Sequence, residues 1–107
     1  MPKQFVTFCR VDELANGQRE VFDLDTMSIL LFNIDDQYYA VENLCSHEEY
    51  ELADGELADG CIECPKHGAT FDIHTGEARS APAYTPVKVF PTRVDGTDVQ
   101  VELELED

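Results

Sequence analysis

The chain has 107 residues, 43% of them hydrophobic, and carries 23 acidic against 7 basic side chains for a formal net charge of −16. That length supports one domain with a modest core, no apolar run approaches a membrane span, and the negative charge would repel phosphate backbones, which sets nucleic acid aside as a partner. The opening MPKQFVTFCRV lacks the basic region, apolar run and small-residue cleavage site of a secretory signal, so the expectation is a soluble cytoplasmic protein whose four cysteines serve metal binding rather than disulfides.

Residues 4–9 (QFVTFC) and 19–24 (REVFDL) are strand candidates. The run SILLFNI over 28–34 is almost continuously apolar, as in a strand covered on both sides. A short turn of Asp35, Asp36 and Gln37 leads into YYAVEN (38–43). The next third of the chain, about 43 to 86, is rich in Gly, Pro, Asp, His and Cys and has no long apolar run. Within it ELADG occurs twice in tandem, at 51–55 and 56–60. Two copies are too few for a solenoid, so the repeat reads as a pair of Asp-Gly turns. Beyond it, PVKVFPTRV (86–94) reads as a strand in which Pro91 implies an edge or a bulge. Asp95-Gly96 is a turn signal. Val99, Val101, Leu103 and Leu105 then alternate with Gln100, Glu102, Glu104 and Glu106, the pattern of a half-buried strand with one wet face. No run of a dozen residues has helical periodicity. The expected fold is all-β, a small sandwich or barrel, with a loop-rich subdomain at about 43–86 inserted in the scaffold. Such an insert needs something besides a core to hold it, and a metal centre would serve.

Charge is also patterned locally. Between Glu48 and Glu63 there are seven acidic residues and no Lys or Arg. One reading is a solubilising surface; the other is a one-sign patch that steers a basic protein partner.

The stretch CIECPKHG (61–68) offers Cys61, Cys64 and His67 as metal ligands. Read alone it resembles half a zinc site or a redox dithiol. Read with what precedes it, two pairs stand out: Cys45-Ser46-His47 and, sixteen residues later, Cys64-Pro65-Lys66-His67. A tetrahedral Cys₂His₂ zinc site can be drawn from them, although Cys-x-His is an unusual first half for one.

The two pairs resemble the signature of the Rieske ferredoxins, a Cys-x-His followed after a similar gap by Cys-x₂-His-Gly. The resemblance extends to HGATFD (67–72) and TGEA (75–78), which match that family's hairpin after the second loop. Pro82 and Pro86 stand where the family has a proline-containing loop, and PVKVFPTRVDGTDVQVELE matches the closing strands of ferredoxins serving aromatic-ring dioxygenases. It implies one [2Fe–2S] cluster, with Cys45 and Cys64 on the inner iron and His47 and His67 on the outer one. Cys61 and Cys9 are then small apolar side chains in strands, and His74 is a solvated turn residue.

The same resemblance implies an electron carrier rather than an enzyme. It would take single electrons from a flavin-containing NAD(P)H-dependent reductase and deliver them to a Rieske-type terminal oxygenase. Small nitrite-reductase subunits share the fold without the ligands, and the intact ligand set here argues against that branch. High-potential members carry a disulfide where this chain has Tyr50 and Lys66, and hydroxyl donors where it has Ala69 and Phe71. The implied subtype is the low-potential, dioxygenase-associated one.

Overall fold

The apolar run SILLFNI forms a strand whose five inner residues, Ile29 to Asn33, are all buried. The computed structural model describes residues 3–24, 27–43, 52–65, 68–79 and 86–104, and every regular element among them is a strand. In chain order these are β1 (Lys3–Arg10), β2 (Arg19–Asp23), β3 (Ser28–Ile34), β4 (Gln37–Glu42), β5 (Leu57–Ala58), β6 (Cys61–Glu63), β7 (Thr70–Asp72), β8 (Val89–Phe90), β9 (Thr92–Asp95) and β10 (Asp98–Glu104). They make three antiparallel sheets: β1-β10-β9, β2-β3-β4-β8 and β5-β6-β7. The all-β expectation is borne out.

The sheet containing β3 lies between two cores. Strand alternation sends Leu30 and Phe32 to one side, where they pack with Val41, Leu52, Ile62, Cys64, Ala69, Phe71, Ile73 and Val87. Ile29 and Leu31 face the other side and pack with Leu14, Ala40, Phe90, Val99 and Val101. Each of these large apolar side chains contributes about 1.5–3 kcal/mol on burial.

Connections follow local sequence. The β3–β4 hairpin needs only two loop residues, Asp35 (φ 54°) and Asp36 (φ 65°), because Gln37 already pairs with Ile34. Two left-handed residues are what a type I′ turn requires, and the Asn33 side-chain carbonyl accepts the Asp36 N–H at 2.9 Å. Between β9 and β10 the loop is Gly96-Thr97, with Gly96 at φ 64°. The run 86–94 is not one strand. Pro91 falls where the chain leaves β8, an edge of the middle sheet, for β9, an edge of the terminal sheet. Its ring costs no ladder bond there. The bulge lies instead in β1, where Thr7 pairs with Gln100 and Cys9 with Val99, leaving Phe8 over. Phe8 packs on Phe22 with ring centroids 4.7 Å apart. Leu105 and Glu106, the end of the alternating run, lie outside the described residues.

The two ELADG copies take different conformations. In the first, Leu52 is fully buried and its carbonyl accepts the Gly55 N–H at 2.9 Å. Gly55 lies so close to the end of β6 that a Cβ would overlap the Glu63 carbonyl oxygen. In the second, Leu57-Ala58 is β5, and Asp59 (φ 53°) with Gly60 (φ 75°) turns the chain into β6. One glycine is required for room and the other for its backbone angles. Gly60→Ala should therefore cost about 1–2 kcal/mol, the penalty of a left-handed alanine, whereas Gly55→Ala should cost about 3 kcal/mol or more through steric overlap. Urea unfolding of the two variants measures this, and equal losses would contradict the assignment.

Candidate functional site

Strand β6 is short, yet its alternation decides where the cysteines point. Ile62 and Cys64 are fully buried in the first core, while Cys61 is partly exposed and Glu63 exposed on the opposite face. Cys61 pairs in register with Asp72 and lies within electrostatic reach of Arg79. Cys61 and Cys64 therefore look away from each other, which opposes a zinc site or dithiol built on both. Among the described residues no three His, Cys, Asp or Glu side chains gather to hold a metal ion.

Cys64 directly follows β6 and begins the turn toward β7. Its N–H donates to the Ala69 carbonyl at 2.7 Å, and its own carbonyl accepts the Gly68 N–H at 2.9 Å. Gly68, at φ 75°, supplies the left-handed residue that this closure needs. The next strand, β7, returns Ala69, Phe71 and Ile73 to the same core, all essentially inaccessible to solvent. A thiolate is the metal-binding form of cysteine, and a buried charge must be paired. An inner iron would pair it. Of the other three expected ligands, Cys45, His47 and His67 lie outside the described residues, as do Tyr50, Lys66 and Pro82. The two Cys/His pairs of the sequence, with Cys64 in a water-poor pocket, suit an iron–sulfur cluster of mixed ligation.

Cys9 and His74 have structural surroundings. Burial pushes the Cys9 thiol up, and Glu20 and Glu13 push it further, so it stays a neutral thiol. His74 is half-exposed in the turn after β7. Its N–H donates to an Asp72 carboxylate oxygen at 2.7 Å, and its ring stands edge-on to Tyr39 at 4.4 Å between centroids. Asp72 is the hub of this turn. It also accepts from the Thr75 N–H and pairs with the Arg79 guanidinium at 2.9 Å.

Two residues that the sequence reading passed over secure the approach to the site. Asn43, 2% exposed, accepts the N–H groups of both Leu52 and Ala53 on one side-chain oxygen, each at 2.9 Å. Arg19 donates from Nη1 to the carbonyls of Ala53 (3.1 Å) and Gly55 (2.6 Å) and lies over the Phe32 ring. Around this segment Asp54, Glu56, Asp59 and Glu63 are all exposed. Glu48, Glu49 and Glu51 of the same acidic stretch lie outside the described residues.

Comparison with known proteins agrees with this geometry. Residues 4–91 match the Rieske [2Fe-2S] domain family. The biphenyl dioxygenase ferredoxin subunit of Pseudomonas sp. (strain KKS102) is 35% identical over 99 residues, covering 92% of this chain and 91% of that one. The ferredoxin of carbazole 1,9a-dioxygenase from Nocardioides aromaticivorans IC177 superposes with a TM-score of 0.84 at 35% identity, over 91% of this chain and 95% of its own. A chain from the complex of reduced oxygenase and oxidized ferredoxin in carbazole 1,9a-dioxygenase gives 0.86 at 30% identity, over 95% and 97%.

The Asp72 hub gives this region a pH dependence. The Arg79 hydrogen bond holds its carboxyl down to about 2 from an ordinary 3.8, against the upward push of burial and with help from the His74 and Thr75 N–H groups. A carboxylate depressed in the folded state stabilises it above the unfolded value and loses that contribution as pH falls through the folded one. Wild type should therefore melt higher than Asp72→Asn at pH 7. The gap should close between pH 3.8 and about 2. Melting curves across that range test it, and a gap independent of pH would exclude the mechanism.

Proposed function

Because the chain belongs to the Rieske [2Fe-2S] domain family, whose cofactor is a single [2Fe–2S] cluster, we propose that it is a cytoplasmic ferredoxin of an aromatic-ring-hydroxylating oxygenase system. It would receive single electrons from a flavin-containing NAD(P)H-dependent reductase and pass them to a Rieske-type terminal oxygenase. The observation that carries this reading is the match to a dioxygenase ferredoxin subunit along nearly the whole of both chains. The structural likeness to a chain of an oxygenase–ferredoxin complex supports the oxygenase half. Among the described residues no helix is long and apolar enough to cross a membrane.

In this reading Cys45 and Cys64 hold the inner iron, His47 and His67 the outer one, and residues 43–86 form the cluster-binding subdomain. When bound, the cluster accepts and releases one electron. The protein's part is to shield the inner side and leave the histidine side open. Cys64 in the first core does the former. The site also lacks two hydroxyl donors, since the buried positions 69 and 71 are Ala and Phe. Without those two hydroxyls to favour the added electron, the potential belongs near the lower end of the Rieske range, about −150 mV rather than about +300 mV.

Single substitutions of Cys45, His47, Cys64 and His67 by Ala should each abolish the bound iron and the red-brown colour, while Cys61→Ser should keep both. Iron assay, visible spectra and potentiometry of the coloured proteins check ligands and potential together. Iron lost from Cys61→Ser and retained in Cys45→Ala would reverse the ligand assignment.

Partner encounter should respond to salt. The acidic stretch sets a negative field beside the ligand pairs, and a basic partner face would be drawn to it. Screening shortens from about 10 Å at 0.1 M to about 3 Å at 1 M. Stopped-flow reduction by the reductase and oxidation by the oxygenase should both slow with added salt. Combining Glu48→Gln with Glu49→Gln should lower only the low-salt rates. Rates indifferent to salt in both directions would mean that the stretch only solubilises.

A further inference from the structure

Strand β4 ends at Glu42, Asn43 follows it, and the described fold resumes at Leu52. Both ends of the intervening stretch 44–51, which carries Cys45 and His47, are joined through one side chain. The Asn43 N–H donates to the Ser28 carbonyl at 2.8 Å, and its side-chain amide reaches Ser28 Oγ at 3.2 Å, so the residue is fixed to β3. Its side-chain oxygen, aimed the other way, receives the Leu52 and Ala53 N–H groups. Leu52 is fully buried in the core that contains Cys64. The chain of contact thus runs from β3 through Asn43 to Leu52, and from Leu52 into the Cys64 environment.

Residues 52–55 follow the first ligand pair without a strand partner. Besides the Gly55 N–H to Leu52 carbonyl bond, their backbone groups are met by two side chains, with Asn43 taking two N–H groups and Arg19 two carbonyls. A buried backbone amide without a partner is costly, so removing Asn43 leaves one buried donor at Leu52 and one partly buried donor at Ala53, and releases the far end of the stretch that carries Cys45 and His47.

We propose that Asn43 is a positioning residue for the cluster. It clasps the base of the Cys45/His47 stretch and sets where those two ligands stand relative to Cys64. This rests on the ligand assignment above, and it is a role in metal retention and site geometry beyond general stability.

The experiment compares the holoprotein with Asn43→Ala, Asn43→Asp and Asn33→Ala. Asn33 is an equally buried asparagine that bonds the Leu14 carbonyl and the Asp36 N–H, away from the 52–55 segment. Melting temperature, iron release to a chelator and the electron paramagnetic resonance spectrum of the reduced protein are read for each. Both alanine variants should melt lower than wild type. Only Asn43→Ala should release iron faster, by about tenfold or more, and shift the g-values. Asn43→Asp keeps the acceptor oxygen and should restore slow release. A wild type that holds no iron would overturn the ligand assignment itself. With wild type loaded, an Asn43→Ala protein that matches Asn33→Ala would overturn only the role of Asn43. If Asn43→Ala does not fold, Asn43→Asp decides: slow release supports the clasp, and fast release defeats it.

Discussion

Burial of β3 on both faces couples the two halves of the molecule, because Leu30 and Phe32 belong to the core around Cys64 while Ile29 and Leu31 belong to the core beneath the terminal sheet. A strand in that position cannot shift register by one residue without exchanging the contents of the two cores. Its neighbours follow suit. In β4, Val41 faces the Cys64 side and Ala40 the other; near β8, Val87 and Phe90 divide the same way. The sheet that leads into Cys64 is thereby held against a wall whose reverse is itself packed, and such a wall has little room to move.

The two outer sheets are assembled from very different distances along the chain. Strands β5 to β7 occupy a short continuous stretch and pair as successive hairpins. The terminal sheet pairs β1 with β10, the first and last strands, and a Gln100–Thr7 side-chain bond spans it at 3.1 Å. That ladder closes only after nearly the whole chain is in place, and such long-range pairing slows folding. The sheet that leads into Cys64 is thus sequence-local, resting on a scaffold that is not.

The parts legible in the sequence were those with their signal in the chain itself. The continuous apolar run of β3 and the alternation of β10 predicted their burial, and the paired Cys/His spacing carried the family. The single strand read across 86–94 failed because local composition does not say which sheet a residue joins; Pro91 marks a change of sheet. Phe8 gave no warning of its bulge, since the extra residue exists only relative to β10. Asn43 and Arg19 were passed over for a related reason. Their partners are backbone N–H and carbonyl groups, so no complementary residue type stands in the sequence to reveal them.

Tandem repeats commonly tolerate the gain or loss of a unit, but tolerance depends on whether the affected backbone is buried and bonded. Here both ELADG units are in use for different ends. Because the copies are identical, loss of either leaves the same chain, in which one ELADG would have to supply both the close approach to Glu63 and the reversal into β6. An added unit would have neither a close approach nor a hairpin to occupy. The spacing from Asn43 to Cys64 is in this sense a ruler: a change of one unit would disturb the close approach at Glu63, the hairpin into β6, or both.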